Sequence, residues 1–394
     1  MRSIGTLSDA LEGCTVVIAV DRRAGELTAA LERHGAQVRQ APALTIVPHI
    51  DDDALLARTR ELIEDPPDVV VVTTGVGFRG WIDAAVEAGL EEGLIDALSG
   101  ARFVARGPKA RGAIQQAGFT ADWVAESETA AELGEYLVAQ GLTGLRVAVQ
   151  HHGSGADGLD ELFTGSGADV VSLTVYRWGP PADPEVVRRS VLQTGDGEID
   201  AVLFTSAPGA AQWLTEAKDA GVLDAIRARA ARGRLLLAAV GPITAGPLVD
   251  ADLQVLIAER GRLGSLVRAV VTYFGGGRWA VGSAGTGGGA GVDRAAAPSL
   301  RTVAGWLQLR SGGALLSGRF VPLSRAGVSL LGALFDAAGD VVARPQLLAA
   351  LPRSGGDDHA VEMAVARVRE AFGGPGVIKT VIKRGYRLDL EEDE

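Results

Sequence analysis

An internal repeat at long range constrains the fold of the first 276 residues. The segments VVIAVDRR, VVVVTTGVGFRGW and FVARGPKARGAI each return in altered form further along the chain. The offsets are 130 residues from Val17 to Val147, 132 from Thr73 to Thr205, and 134 for the third pair. Such similar offsets indicate two tandem copies of one unit. Because each copy alternates short apolar strands with amphipathic helices, it predicts parallel β-sheets covered by helices.

Glycine, serine and threonine follow the predicted strands in both copies, just before a helix begins. Helix starts expose N–H groups, and ligands collect at the carboxyl ends of parallel strands. These turns are therefore candidate sites for an anionic ligand. The alternative is that they are ordinary turns in which these residues cap helices. The four segments are 73–77, 107–109, 206–209 and 241–244.

A linker is predicted at 277–299, because this stretch consists mostly of small residues without apolar periodicity. As a glycine-rich coil, the 19 residues from 281 to 299 would span roughly 25 Å. We expect such a linker to let the C-terminal domain move independently.

The last seventy residues predict a helix, a short second helix, a third amphipathic helix and a β-hairpin. Winged helix-turn-helix DNA-binding domains use this order. Residues 301–388 carry 12 basic and 6 acidic side chains, whereas residues 1–300 carry 26 and 38. A locally basic domain permits contact with phosphates. In the third helix, Val361, Val365, Val368 and Phe372 form one apolar stripe, so the opposite face would enter the major groove.

Several classes of protein are disfavoured. Cys14 is the single cysteine, which excludes an intrachain disulfide and suits a reducing cytosol. No apolar run has transmembrane length and no signal core is present, so we expect a cytoplasmic protein without membrane contact. No metal-spaced Cys/His cluster occurs. The pair His151–His152 points to opposite faces of a strand, which favours a neutral cleft histidine or a strand end over a metal site.

The two matched halves resemble uroporphyrinogen-III synthase over residues 14–276, through TTGVG, ARGPKA, SLTVYRW, FTSAPGA and AAVGPITA. The resemblance implies two α/β lobes, one of residues 1–44 and 178–276 and the other of 45–177. Crossing strands at 43–48 and 172–178 would join the lobes as a two-strand hinge that opens and closes around a ligand. The family's reaction cyclises hydroxymethylbilane, a linear tetrapyrrole with eight carboxylates, without metal or cofactor.

The same resemblance implies roles for individual residues. Tyr176 would assist departure of the substrate hydroxyl, although it could equally pack the hinge. Thr244 and Ser206 would cap helices and donate hydrogen bonds to substrate carboxylates. Basic residues would pair with the carboxylates, unless they are solvated surface groups. The expected catalytic residues are Tyr176 and Thr244; the expected substrate-binding residues are Arg22, Thr74, Gly75, Arg106, Gly107, Lys109, Ser206, Ala207 and Gly241.

The C-terminal segment resembles the winged-helix output domain of OmpR/PhoB-type response regulators through VEMAVARVREAF and IKTVIKRGYRL. The domain is expected at 300–390, with an acidic tail at 391–394. Ala364, Ala366 and Glu370 stand where that family usually has cations, which implies weak DNA binding by one domain alone. The alternative is a winged helix kept for protein contact. The expected DNA-binding residues are His359, Met363, Ala366, Arg367, Lys379, Thr380, Lys383, Arg384 and Tyr386.

Two functions follow from these patterns. The first is a transcription regulator that binds double-stranded DNA, with the synthase-like module as an input for a linear tetrapyrrole or another anionic ligand. The second is an active synthase with an accessory DNA-binding domain. A third option is a scaffold that lends its winged helix to a second transcription regulator.

Overall fold

The computed structural model describes residues 8–20, 23–48, 53–151, 157–275, 296–352 and 358–391. Its contacts divide the chain into two units. One unit is Thr45–Gly179, and the other combines Met1–Leu44 with Pro180–Glu394. We call the first unit lobe 2 and the α/β part of the second unit lobe 1. The C-terminal domain thus belongs to the same unit as lobe 1.

Lobe 2 is a five-stranded parallel sheet in the order β6-β5-β4-β7-β8. Its middle strand, Val69–Val72, consists of four buried valines, and the neighbouring strand is buried from Val147 to His151, as expected for a sheet covered on both faces. The strands are β4 (Val69–Val72), β5 (Arg102–Ala105), β6 (Ala121–Val124), β7 (Arg146–His151) and β8 (Asp169–Thr174). The helices are α2 (Asp53–Glu64), α3 (Gly75–Glu87), α4 (Glu91–Leu98), α5 (Pro108–Gln116), α6 (Ala130–Gln140) and α7 (Leu159–Gly165).

Lobe 1 is a second five-stranded parallel sheet, in the order β12-β11-β10-β1-β2. The strands are β1 (Thr15–Ile18), β2 (Gln37–Gln40), β10 (Ala201–Phe204), β11 (Leu236–Ala239) and β12 (Val255–Ile257). The helices are α1 (Ala24–Glu32), α8 (Pro184–Gly195), α9 (Ala207–Asp219), α10 (Leu223–Ala231), α11 (Pro242–Asp250) and α12 (Leu263–Gly275). The expected α/β class with two parallel-sheet lobes is confirmed.

The internal repeat reappears as matching architecture in the two lobes. Trp81 and Trp213 are both fully buried against their sheets. The indole of Trp81 donates to Thr59 Oγ1 at 3.0 Å, and the indole of Trp213 donates to Ser190 Oγ at 3.2 Å. Each buried indole thereby satisfies its N–H on the neighbouring helix. The lobes are not the two sequence halves, because each sheet combines strands from both copies.

A two-stranded antiparallel ladder lies where the chain enters and leaves lobe 2. It joins β3 (Thr45–Pro48) to β9 (Tyr176–Gly179), with Thr45 opposite Gly179 and Pro48 opposite Tyr176. The expected crossing strand 172–178 is corrected by this result. Its first residues belong to β8, which pairs with β7 up to Thr174. The lobe therefore ends at Gly179 instead of residue 177.

The C-terminal domain begins with a four-stranded antiparallel sheet that the sequence analysis did not predict. Its strands are β13 (Ser299–Thr302), β14 (Gly305–Arg310), β15 (Gly313–Leu316) and β16 (Arg319–Pro322). The expected three helices follow as α13 (Arg325–Asp336), α14 (Arg344–Ala350) and α15 (Asp358–Ala371). After a 3-10 turn at Pro375–Val377 come β17 (Ile378–Val381) and β18 (Gly385–Leu388), which form the hairpin.

The expected linker at 277–299 is shorter at its C-terminal end. Ala297 is buried in the core of lobe 1, and its N–H donates to the Tyr273 carbonyl at 2.8 Å. Ser299 already begins β13. The earlier part of the segment lies outside the described residues. The C-terminal domain packs on lobe 1 through buried polar contacts.

Candidate ligand-binding edges and DNA interface

The carboxyl edge of the lobe 2 sheet is organised around Thr74. Its side chain caps α3 by accepting a hydrogen bond from the N–H of Gly77 at 3.1 Å. The same oxygen lies 3.4 Å from the amide nitrogen of buried Gln150, which donates to it. Because the oxygen accepts both bonds, its own proton remains available for donation. Thr74 can therefore offer a hydroxyl to a carboxylate at the start of α3.

Two helix starts meet at this edge. Gly75, the first residue of α3, approaches α5 so closely that a Cβ there would lie 2.3 Å from the Lys109 carbonyl oxygen. Gly107 caps α5 in an extended conformation, and Pro108 opens the helix. Lys109 is exposed and Arg106 is half-buried. The structure thus brings Thr74, Gly75, Gly107 and Lys109 together, with N–H groups and a cation suited to an anion.

Lobe 1 repeats this arrangement at its own edge. Ser206 caps α9 by accepting from the N–H of Gly209 at 3.2 Å. Gly241 caps α11 in an extended conformation and is followed by Pro242, as Gly107 is followed by Pro108. Helices α9 and α11 pack against each other. Half-buried Ala207 and buried Thr244 lie in the first turns of these helices. Thr244 therefore does not cap a helix as expected, because Gly241 occupies the cap position of α11 and Thr244 lies inside the helix.

Two expected site residues, Arg22 and Tyr176, lie wholly or partly outside the described residues. Arg22 lies outside the described residues. Tyr176 contributes backbone to β9, but its side chain also lies outside them. Their roles in substrate binding and catalysis remain predictions.

His151 lies at a strand end, as one of the two alternatives predicted, but its ring is bound by two carboxylates. It terminates β7 and is 1% exposed. Nε2 lies 2.8 Å from an Asp160 carboxylate oxygen, and Nδ1 lies 3.2 Å from Asp157. Burial alone would lower the pKa of His151, but the hydrogen bonds to Asp157 and Asp160 outweigh it and raise the pKa to about 9. The imidazole is therefore charged at neutral pH.

The third helix of the C-terminal domain presents the expected face to solvent. Val361, Val365 and Val368 are buried in the domain core, as the apolar stripe predicted. His359, Met363, Ala366 and Arg367 are exposed. Ala364, which stands where the related family usually has a cation, is buried and does not contribute to the outer face.

The hairpin exposes four of the expected DNA contacts, and two of them also contact other residues of the domain. Lys383 and Arg384 are exposed at its tip. Lys379 is exposed and pairs with Asp389 at 3.5 Å. Exposed Thr380 accepts a hydrogen bond from Arg369 at 2.8 Å.

Tyr386 is the one expected DNA contact that the structure moves inward. It is 5% exposed and part of the domain core. The guanidinium groups of Arg344 and Arg369 lie 5.4 and 5.9 Å from its ring centre. Its alternating position on β18 faces the helices, so its side chain packs the hairpin onto the domain instead of reaching DNA. The contacts of Arg344 and Arg369 with Tyr386 could not be predicted from the sequence, because cation–π partners from different elements carry no local pattern.

Membrane-spanning helices and metal sites are both absent from the described residues. No helix in them has the length and apolar character needed to cross a membrane. The same residues contain no cluster of three or more His, Cys, Asp or Glu side chains that could hold a metal ion.

Two protein-family models match separate parts of the chain. The sequence model of the family described as uroporphyrinogen-III synthase HemD matches residues 25–268, and that described as transcriptional regulatory protein, C terminal, matches residues 318–388. The uncharacterized protein YjjA of Bacillus subtilis (strain 168) is 28% identical over 265 residues, which are 67% of this chain and 97% of that protein.

Two solved structures are similar to separate parts of the chain. A mutant uroporphyrinogen III synthase of the extremely thermophilic bacterium Thermus thermophilus is 27% identical with a TM-score of 0.53, covering 65% of this chain and 97% of that one. The DNA-binding domain of response regulator AdeR, solved in complex with an intercistronic region, is 18% identical with a TM-score of 0.20, covering 22% of this chain and 95% of that one.

Lobe 2 should become less stable as the pH rises, because His151 then loses its stabilising charge. The pKa is raised from 6.5 to about 9 on folding, so the charged form stabilises the folded state fully below pH 6.5. This contribution, about 3 kcal/mol, should be lost as the pH rises through about 9. We expect the difference in unfolding free energy between wild type and His151→Asn to be large at pH 6 and small at pH 10.

His34→Asn is the matched control, because His34 bonds the Ser8 hydroxyl instead of a carboxylate. Chemical denaturation at several pH values measures both differences. A His151→Asn difference that is the same at pH 6 and pH 10 would contradict a charged, aspartate-bound imidazole.

Proposed function

Because this chain belongs to the uroporphyrinogen-III synthase family and ends in a response-regulator-type DNA-binding domain, we propose that it is a transcription regulator whose synthase module is a ligand-responsive input. The observation that carries the DNA-binding part is the outer face of α15. His359, Met363 and Arg367 are exposed there, beside a hairpin whose tip exposes Lys383 and Arg384. A regulator of this kind acts in the cytoplasm, where bacterial DNA lies.

The input ligand is an anion, with a linear tetrapyrrole as the leading candidate. Thr74 and Ser206 cap matching helices and keep hydroxyl protons free for donation. Gly107 and Gly241 precede two further helix starts at the same two edges. A ligand with several carboxylates would use more than one of these starts.

DNA binding by one domain should be weak. The outer face of α15 includes exposed Ala366, Glu362 and Glu370 beside Arg367, and Glu362 lies 3.7 Å from Arg344. Few cations mean little counterion release. A second copy, or a second transcription regulator bound nearby, would supply the missing affinity.

Removal of single cations tests the DNA face. We expect Arg367→Ala to weaken binding by about 1–3 kcal/mol and to relax sequence preference, because arginine contacts base edges. Lys383→Ala should weaken binding to all sequences and lower the salt slope by about one, as for a lost phosphate contact. Titration of the full chain against promoter fragments and random DNA at several salt concentrations measures both.

Arg319→Ala is the control, since Arg319 is an exposed cation of the same domain that lies on β16. The DNA-binding proposal fails if wild type prefers no sequence over random DNA, or if the three variants lose affinity equally. Point variants are preferable to deletion of the domain, because deletion would also uncover the face of lobe 1 on which it packs.

Replacement of Lys109 tests the anionic ligand. Uroporphyrin I, a stable tetrapyrrole with eight carboxylates, serves as the probe in a fluorescence titration. We expect Lys109→Ala to weaken binding about two- to fivefold, because an exposed ion pair contributes up to about 1 kcal/mol. Lys218→Ala is the control, since Lys218 lies at the opposite end of α9 from its capped start. Equal losses in both variants would count against the helix-start site.

Synthase activity is the second candidate function, and the match of the family over residues 25–268 favours it. Turnover of hydroxymethylbilane should yield the type III isomer above the type I isomer that forms spontaneously. If Tyr176 assists departure of the hydroxyl, Tyr176→Phe should lower the rate about 100-fold. The control is Tyr136→Phe, because Tyr136 stacks on Trp123 with ring centres 4.1 Å apart. Absence of type III product would remove this candidate.

A further inference from the structure

The turn between β14 and β15 of the C-terminal domain rests directly on lobe 1. The N–H of Gly312 donates to the Gly13 carbonyl at 3.0 Å. Gly13 has a φ of 73°, and a Cβ there would lie 2.0 Å from the ring of Phe320 in β16. A side chain at position 13 and the Phe320 ring therefore cannot occupy this space together.

The Asp200 carboxylate forms the buried centre of this contact. It accepts hydrogen bonds from the Thr15 N–H at 2.7 Å and the Ser311 N–H at 2.8 Å, and the Ser311 hydroxyl donates to it as well. Thr15 belongs to lobe 1 and Ser311 to the C-terminal domain. Burial raises the pKa of Asp200, and the hydrogen bonds from both domains oppose that shift. The carboxylate thus depends on donors from the docked domain.

A buried arginine makes the complementary contact from the other side. Arg310 of β14 is 2% exposed. Its guanidinium donates to the Phe274 carbonyl at 2.9 Å and lies 4.5 Å from the centre of the Phe274 ring. Phe274 belongs to α12 of lobe 1. Burying a guanidinium is costly unless it is paired, and here Gln308 of the same strand and Phe274 of lobe 1 both accept hydrogen bonds from it.

Helix α13 forms a charged rim around this centre. Asp336 bonds Arg234 of lobe 1 at 3.1 Å, and the Arg234 guanidinium lies 5.7 Å from the Phe335 ring centre. Arg325 lies 2.8 Å from a carboxylate oxygen of Glu198. The polar rim is typical of a specific interface, whereas the centre differs from the usual apolar one because it contains buried Asp200 and Arg310.

This interface leaves the expected DNA-binding face uncovered. His359, Met363, Arg367, Lys383 and Arg384 are all exposed, and the contacts to lobe 1 come from β14, the following turn, β16 and α13. Docking on lobe 1 and reading DNA are therefore compatible.

We propose that the surface formed by 310–312, Phe320 and α13 is a docking surface whose partner is lobe 1 of the same chain, so that the two domains bind DNA as one body. Asp200 immediately precedes β10, and Ser206 follows the same strand at the ligand edge. The strand that anchors the DNA-binding domain therefore also leads to the expected ligand site of lobe 1. The DNA-related part rests on the proposed function, whereas the docking itself does not.

A wedge at Gly13 tests the docking in the full chain. Gly13→Ala puts a methyl group against Phe320, whereas Gly221→Ala, at a φ of 71° with no atom within 4 Å, adds the same backbone strain without a clash. Hydrogen exchange of the Ser311 amide reports the contact, because this N–H is bound by Asp200. We expect slow exchange in wild type, exchange faster by about tenfold or more in Gly13→Ala, and no change in Gly221→Ala.

Phe320→Ala completes the test as a double-mutant cycle. With the ring removed, addition of Gly13→Ala should no longer accelerate exchange at Ser311. Exchange of the Val202 amide in β10 shows whether lobe 1 itself remains folded. Exchange at the unprotected rate at Ser311 in wild type, or equal effects of the two glycine variants, would overturn the docking. Protected Ser311 without DNA binding would leave the docking intact and remove the proposed function.

Discussion

The Asp200 carboxylate is the point at which lobe 1 and the C-terminal domain depend on each other. It lies at the amino end of β10, fully inside the protein, and its donors come from Thr15 in one domain and Ser311 in the other. A buried carboxylate without such donors would be strongly unfavourable. Buried Arg310 of the C-terminal domain depends in the same way on lobe 1, because its guanidinium donates to the Phe274 carbonyl there. Asp200 and Arg310 thus tie the C-terminal domain to lobe 1, and the two lie in one compact unit.

The two lobes show how one repeated unit can yield two equivalent sheet edges, which are the expected ligand sites. Their sheets have the same strand order relative to the repeat, and Trp81 and Trp213 pack in the same way against each. At the carboxyl edges, Thr74 matches Ser206 as a helix cap, and Gly107 matches Gly241. The same local chemistry therefore appears twice, which suits a ligand that carries many similar anionic groups.

The C-terminal domain separates its packing residues from its exposed cations. Tyr386 and Arg369 fix the hairpin and α15 to each other, while Arg367, Lys383 and Arg384 face solvent. The contact surface is therefore rigidly supported but poor in charge. A regulator built this way gains affinity from pairing or from a partner more readily than from one domain.

Sequence alone determined the features that local patterns encode. The offsets of the repeat, the strand–turn–helix order, the caps at Thr74 and Ser206, and the stripe of Val361, Val365 and Val368 all follow from short-range periodicity and helix chemistry. Tertiary structure decided the rest. Asp200 meets Ser311 across 111 residues, and His151 becomes charged only between two aspartates. Tyr386 packs into the domain core beside two arginines from other elements. Such contacts depend on which surfaces meet in the fold, and that information has no period along the chain.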